Sequence, residues 1–337
     1  MTAETSPTLA RQRAETSREI WSRRLRTLAP LWTWLALMVV FSLVSDTFMR
    51  LAVFNNILAQ VSILALFGTG MTIVLLTGQI DLSIASVAAL SAMISGQLFT
   101  NYGLPEPLPT LAALGVATLL GLTNGLATAK LRIPSFMSTL AMSLIASGLT
   151  VWTSKGQTVF EISNWAKFMG SERIGSIRSG YLITFAILAL LIGHLVLRYT
   201  RFGRYIYMTG ASPVAARLAG VNTDFIIMAG LTISGFMAGL AGVINMGRLG
   251  SAQPQVIQSF LIEGIAVVVL GGTSLTGGRG SIWQTVLGLL IYGTLRSGLD
   301  NIAQIDSFAK EFITGLVLLV ALIINVLLSG RAERDRA

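Results

Sequence analysis

Apolar runs of about twenty residues recur along almost the whole chain, and this repetition restricts its possible folds more than any other feature. One such run has the length of an α-helix that crosses the hydrocarbon core of a bilayer. Of the 337 residues, 53% are hydrophobic and only 12% are charged, whereas about a quarter of the residues in a soluble domain are charged. The sequence therefore predicts an all-α, polytopic membrane protein with little length left for a separate soluble domain.

The apolar runs, read against glycine, proline and charged breakers, predict about ten membrane spans. They lie near residues 29–47, 54–77, 82–100, 108–128, 134–152, 181–199, 225–244, 259–276, 282–297 and 308–329. The eighth and ninth are short and interrupted by glycine, so full and partly re-entrant paths are both compatible with them. We interpret the rest as a basic tail over residues 1–28, a transmembrane domain over 29–329 with a polar segment at 199–224, and a second tail over 330–337.

The basic residues predict the orientation of these spans. An even number of spans places both termini on one side, and sixteen of the 24 Lys and Arg residues fall on that side. Because cytoplasmic connectors carry the excess of basic residues, both termini are predicted to be cytoplasmic. We therefore interpret the basic residues behind the net charge of +9 as the signal that orients the spans, and nucleic acid is not expected as a partner.

Two further patterns concern how the helices are arranged. If spans 1–5 and 6–10 were repeats, their odd number would invert one half relative to the other, although no letter-by-letter repeat is visible. The pairs Gly121–Gly125 and Gly235–Gly239 have the spacing that lets helices approach closely. We interpret them as packing within the bundle.

The sequence has few residues for chemistry that depends on thiols or on several imidazoles. The chain has no cysteine and one histidine, His194, which argues against disulfides and against Cys- or His-based metal sites. We expect no metal site and assign His194 to packing or to the membrane interface. In Gly272–Gly280, GTSLTGGRG, the Lys-Ser/Thr of a phosphate-binding loop is absent. A helix break and a tight turn are expected there.

The connector from Arg198 to Asp224 contains a helix with a clear start. Ser212 can cap it, Pro213 suits the first helical position, and VAARLAG follows to Gly220. Two readings are open from the residues alone: a helix that docks on a partner, and a surface helix that ends a hairpin.

This connector belongs to a set of four segments that resemble one family. ASPVAARLAGVNTD resembles the cytoplasmic coupling segment of permease subunits of ATP-binding-cassette (ABC) importers of the ribose, xylose and arabinose type. LTGQIDLSIAS is similar to their Gly-Ile-Asp-Leu-Ser motif, GLTNGLATAKLRIPSFMSTLAM to the segment that follows, and IEGIAVVVLGGTSLTGGRGS to their C-terminal glycine-rich segment. The four segments occur in the same order as in this family, and the resemblance covers nearly all of the chain after residue 50. Two places differ from the family pattern: Gln79 stands where the motif usually has glycine, and Ser212-Pro213 stands where the family commonly has Asn-Glu.

The resemblance implies a division of labour in the bacterial inner membrane. Cytoplasmic ABC ATPase subunits would bind ATP and Mg and dock on this chain, and an extracytoplasmic solute-binding protein would deliver a monosaccharide or similar small polar solute. A second permease subunit, identical or different, would complete the pathway, surrounded by membrane lipid. This chain is then expected to bind no cofactor and to be a transporter subunit, not an enzyme. The implied coupling residues are Ser212, Pro213, Ala215, Ala216, Arg217, Leu218 and Gly220.

Asp81 is the only charged residue between Arg50 and Glu106, and the ten-span count places it at the cytoplasmic end of spans 2 and 3. An aspartate there can accept a backbone N–H at the start of the third span. The alternative is that Asp81 and its neighbour Ser83 line the pathway or sense the ATPase cycle. The pathway or gating candidates are Asp81, Ser83, Asn124, Thr139, Glu263, Gly271 and Gly272, with Ser91, Ser95 and Ser143 as weaker additions.

Two rival functions remain at this stage. A secondary transporter driven by an ion gradient would favour several carboxylates deep in the bundle, and the predicted spans hold almost none. A membrane scaffold or receptor without transport would not require a partner ATPase.

Overall fold

A computed structural model describes residues 29–175, 177, 179–254, 259–302, 306, 308–317, 319–320 and 323. Within them, the regular structure is helical apart from two isolated β-bridges. The helices are α1 (Ala29–Val44), α2 (Leu51–Leu76), α3 (Ile84–Thr100), α4 (Leu108–Ala129), α5 (Ser135–Ser154), α6 (Asn164–Gly170), α7 (Gly180–Tyr199), α8 (Arg201–Ala211), α9 (Pro213–Leu218), α10 (Thr223–Leu249), α11 (Ser259–Leu270) and α12 (Ile282–Asp300). Residues 308–317 are also helical. The predicted tails, 1–28 and 330–337, lie outside the described residues.

The predicted spans correspond to helices along the chain. Nine of them coincide with α1, α2, α3, α4, α5, α7, α10, α11 and α12, and the tenth starts at the helical residues 308–317. Among the described residues, α2, α4, α5, α7 and α10 have both the length and the hydropathy to cross a membrane. The described part of α11 has 12 residues, about 18 Å of helix, in keeping with a short eighth span. The chain is an all-α, polytopic membrane protein.

Helices α2 and α10 form the centre of the bundle. Most of the α2 side chains from Val61 to Leu76 are buried, as are most α10 residues from Ala238 to Gly247. Glycine lets α10 approach α4 very closely, because a Cβ added at Gly121 would lie 2.6 Å from the Leu231 carbonyl oxygen and 2.9 Å from the Gly235 Cα. Both predicted glycine pairs therefore lie in the contact between α4 and α10, where Gly121 meets Gly235.

The central helix of each predicted half, α2 or α10, packs against helices of the other half. Helix α10 packs on α3 and α4, and α2 packs correspondingly on α11 and α12. Gly242 of α10 lies against the backbone of Ala88 in α3, while Gly68 of α2 faces Thr285 of α12. The two predicted five-span halves therefore contact each other through their central helices.

Alternate connectors gather at opposite ends of the bundle. At one end, the Gly278 N–H donates to the Leu76 carbonyl at 3.0 Å, and Lys130 lies 3.5 Å from Asp224. At the other end, Val159 pairs with Ala252 through two backbone hydrogen bonds of 3.0 and 2.8 Å. This division follows the predicted alternation of spans.

We call the first end the positive face, defined by the connectors at residues 77–83, 130–134, 200–222 and 271–281 and the helix ends beside them. Basic residues outnumber acidic ones among its described residues. It carries Lys130, Arg132, Arg198, Arg201, Arg204, Arg217 and Arg279 against Asp81 and Asp224.

Candidate coupling and gating sites

The connector on the positive face forms two short helices, α8 and α9. Helix α9 begins as predicted, with Pro213 in its first turn and the Ser212 hydroxyl accepting the Ala215 N–H at 3.2 Å. It ends at Leu218, and Gly220 follows with a φ of +81°, a conformation that favours glycine. Helix α8 was not predicted, because its sequence was read only as a polar connector. Its signal is an alternation of exposed Arg201, Arg204, Tyr205 and Met208 with buried Gly203, Ile206 and Thr209.

Helix α9 is anchored on one side and exposed on the other. Ala216 is only 1% exposed and packs in a cluster with Ile206, Val221 and Ile226. Leu218 is 86% exposed, and Val214, one turn earlier on the same face, is also exposed. Of the predicted coupling residues, Ala215, Arg217 and Leu218 are therefore available to a partner, whereas Ala216 holds the helix in place.

Val214 was missed by the sequence reasoning. Its separation of four residues from Leu218 was the signal that could have found it. Together with Arg217, these two side chains give α9 an exposed apolar surface beside a positive charge.

The C-terminal end of α8 meets two other connectors at a junction of glycines. Gly210 packs so tightly on the end of α2 that a Cβ there would overlap the Leu76 carbonyl oxygen. A Cβ at Gly277 would lie 2.8 Å from the Gly78 Cα, and one at Gly278 would lie 2.7 Å from the Ala211 Cα. Three stretches of backbone are thus in direct contact, and we call this contact the glycine junction.

A side chain reinforces the glycine junction. The Tyr207 hydroxyl donates to the Gly280 carbonyl at 2.9 Å, which ties α8 to the turn between α11 and α12. Burial raises the pKa of the Tyr207 phenol, so the hydroxyl keeps its proton for this bond at neutral pH. The predicted gating residues Gly271 and Gly272 lie at the start of the same turn, where Gly271 packs against the Gln284 backbone.

Asp81 lies inside the bundle at 1% exposure and is satisfied by hydroxyl groups. Its Oδ1 accepts the Ser83 N–H at 2.9 Å and the Ser83 hydroxyl at 2.6 Å, and its Oδ2 accepts the Ser234 hydroxyl of α10 at 2.7 Å. The Asn124 amide donates to the Ser83 oxygen at 2.9 Å. The carboxylate therefore accepts the backbone N–H of Ser83, the residue before α3, but no N–H of the helix itself, so it does not cap α3. It also connects this segment to α10.

The segment from Thr77 to Ser83 is held against α5. The Ser135 hydroxyl oxygen accepts the Ile80 N–H at 3.1 Å, and the Thr139 hydroxyl oxygen accepts the Leu82 N–H at 3.0 Å. These bonds satisfy two backbone N–H groups of the connector that have no partner within a helix. Thr139, predicted as a pathway or gating residue, thus binds backbone in this structure.

The other predicted pathway residues also occupy helix contacts. Asn124, Ser91 and Ser95 are buried, and Ser91 donates to the Gly239 carbonyl at 3.1 Å. Ser143 pairs with Ser86 at 2.8 Å. The structure therefore distributes these residues over three helices, with Ser91 and Ser95 in α3, Asn124 in α4 and Ser143 in α5.

Glu263 lies in a separate polar cluster near the opposite end. Its carboxylate is hydrogen-bonded to Tyr292 of α12 and lies near Arg296. Glu263, predicted as a pathway or gating residue, thus has its partners within the chain. His194 packs edge-on against the Tyr199 ring, with centroids 6.4 Å apart.

The apolar helices and the buried polar contacts between them define a multi-pass membrane protein. A family model described as the permease component of the branched-chain amino acid transport system matches residues 53–322, and the chain belongs to this family. It is a multi-pass protein of the inner membrane.

Similar proteins are sugar import permeases. The chain is 38% identical over 275 residues to the fructose import permease of Rhizobium meliloti, covering 80% of this chain and 76% of the relative. It is 34% identical over 296 residues to the ribose import permease of Escherichia coli K12, covering 86% and 91%. The D-allose transport system permease of the same organism is 31% identical over 289 residues, covering 86% and 87%.

Proposed function

We propose that this chain is the permease subunit of an ABC importer for a monosaccharide or a similar small polar solute. One observation supports it most: α9 presents exposed Val214, Arg217 and Leu218 while buried Ala216 fixes it to the bundle. Such an element transmits force, because its outer face is free to bind and its inner face is packed. The sugar import permeases among its relatives agree with this substrate class.

The partners follow from this arrangement. A cytoplasmic ABC ATPase that binds ATP and Mg would dock on α9, with residues 199–224 as the coupling segment and the positive face in the cytoplasm. An extracytoplasmic solute-binding protein would deliver the substrate at the opposite face. A second permease subunit, a copy of this chain or a related one, would complete the pathway.

The glycine junction connects a movement of α9 to the other helices of the bundle. When the ATPase subunits close, α9 moves with them, and α8 follows because only Ser212 separates the two helices and Ala216 packs in one cluster with Ile206. Because Gly210 and Ala211 contact the end of α2 and the turn at residues 277–278, the displacement reaches both halves at once. Alternating access then follows as a movement of one half relative to the other.

A neutral, hydroxyl-rich substrate suits the side chains available. The buried carboxylate Asp81 is already occupied by Ser83 and Ser234, which leaves the described spans with few free charges to bind an ion. An ion-gradient mechanism is therefore not favoured, since it calls for free carboxylates near the middle of the membrane.

The test is an Arg217→Glu variant of the complex reconstituted with its ATPase and binding protein in vesicles. We expect sugar uptake to be abolished while the chain still inserts, because the new carboxylate reverses the charge at the docking surface. Lys155→Glu, an exposed change at the opposite face, is the matched control. Normal stimulation of the ATPase by the Arg217→Glu permease, or uptake that needs an ion gradient instead of ATP, would overturn the proposal.

A further inference from the structure

The corner between α7 and α8 has an unusual combination of surfaces. Only Thr200 separates the two helices, and its hydroxyl oxygen accepts the Gly203 N–H at 3.1 Å. Gly203 packs directly on the carbonyl groups of Val196 and Leu197. Helix α8 therefore leaves the end of α7 abruptly and remains close to it.

An apolar column leads along α7 to this corner. Leu188, Leu191, Ile192 and Leu195 are all exposed in the chain, and their spacing places them on one side of the helix. Tyr199 continues this side one turn later and is 66% exposed. A tyrosine at the end of an exposed apolar column marks the depth at which hydrocarbon gives way to headgroups.

Two arginines stand at that depth. The Arg198 guanidinium lies 5.8 Å from the centroid of the Tyr199 ring, and Arg201 begins α8. Both are exposed, and neither takes part in an ion pair among the described residues. Of the described acids on the positive face, Asp81 is buried and Asp224 contacts Lys130.

We propose that the α7–α8 corner binds the headgroup of an anionic phospholipid, with the acyl chains lying along the apolar column of α7. The guanidinium groups of Arg198 and Arg201 match the oxygens of a phosphodiester, which arginine binds in a bidentate manner. The N-terminus of α8 adds a favourable dipole. The inference is independent of what the protein transports.

The column distinguishes a lipid from a soluble anion. A free phosphate would use only the two arginines, whereas a phospholipid also covers Leu188 to Leu195 and places its headgroup where the arginines stand. Anionic lipids attract basic residues near the membrane surface with about 1 kcal/mol for each Lys or Arg, so losing two should weaken binding at least tenfold.

The test titrates the detergent-purified full-length chain with phosphatidylglycerol, and native mass spectrometry counts the retained lipids. We expect one saturable phosphatidylglycerol that phosphatidylcholine does not replace, with its apparent Kd raised about tenfold or more by Arg198→Gln with Arg201→Gln. Arg201→Gln alone should raise it a few-fold and serves if the double variant is unstable. The matched control, Lys130→Gln with Arg132→Gln, removes two charges from another connector of the same face and should change the Kd less than twofold.

Three results would overturn the proposal. Equal weakening by both double variants would indicate diffuse surface charge. Displacement of the lipid by inorganic phosphate at comparable concentration would make the site one for soluble anions. An unchanged Kd in both Arg198→Gln with Arg201→Gln and Arg201→Gln alone would show that these arginines do not bind the headgroup.

Discussion

At the scale of single residues, Asp81 shows how a lone carboxylate is kept inside a membrane protein. Its oxygens accept three hydrogen bonds from Ser83 and Ser234, residues on opposite sides of a helix contact. A buried acceptor that loses such partners costs more than the bonds themselves contribute. Asp81 therefore joins two parts of the bundle that are 153 residues apart in sequence.

Asp81→Ala should lower the free energy of unfolding by roughly 3 kcal/mol, because it leaves buried hydroxyl and amide groups without their acceptor. Thermal denaturation of the detergent-purified chain measures the effect as a lower Tm. Asp224→Ala is the control, since it breaks only the exposed pair with Lys130 and should cost less than about 1 kcal/mol. Equal losses of Tm in the two variants would contradict a structural role for the Asp81 network.

At the scale of elements, the glycine junction joins α8 to α2 and to the turn between α11 and α12. Glycine is required here because backbone, not side chains, fills the contact: Gly210 meets the Leu76 carbonyl, and Gly277 meets the Gly78 Cα. A methyl group at such a point cannot be accommodated by a rotamer change, so the helices themselves must separate.

Gly210→Ala should therefore reduce coupling, seen as a loss of at least tenfold in sugar uptake per ATP hydrolysed by the reconstituted importer. The added Cβ would overlap the Leu76 carbonyl oxygen and push α8 away from α2. Gly148→Ala is the matched control, because Gly148 lies within α5 with no neighbour near its Cβ position. It should leave coupling unchanged and favour the helix by up to about 1 kcal/mol. Full coupling in Gly210→Ala would exclude the junction from the transmission route.

The elements themselves were predictable to the extent that their signals are local. Apolar run length identified the spans, and Ser212-Pro213 identified the start of α9, because a cap and a first-turn proline act within one helical turn. Helix α8 was missed because its apolar residues alternate with arginine and tyrosine, a pattern set by a neighbouring surface. The Ser234 partner of Asp81 and the contact of Gly210 with Leu76 were beyond reach, since long-range contacts depend on how the helices are arranged.

At the scale of the whole molecule, the central helices are exchanged between the halves. Helix α2 packs on α11 and α12 while α10 packs on α3 and α4, so neither half can unfold without uncovering the centre of the other.

The absence of cysteine from the sequence allows the orientation to be tested without background. Ala219→Cys at the positive face and Lys155→Cys at the opposite face both replace exposed residues. We expect a membrane-impermeant maleimide to label Lys155→Cys in intact spheroplasts and Ala219→Cys only in inverted vesicles, because the excess of basic residues predicts that the positive face is cytoplasmic. The reverse pattern would contradict the proposed site of ATPase docking.

The bonds from Ile80 and Leu82 to Ser135 and Thr139 limit how this molecule can change shape. Sliding α5 away from residues 77–83 would break both bonds and leave two backbone amide protons without their acceptors. We therefore expect residues 77–83 and α5 to move as one rigid body. The hydrogen bond from Ser234 to Asp81 links this body to α10. A solute route must then open between helices whose separation breaks no backbone hydrogen bond of this kind.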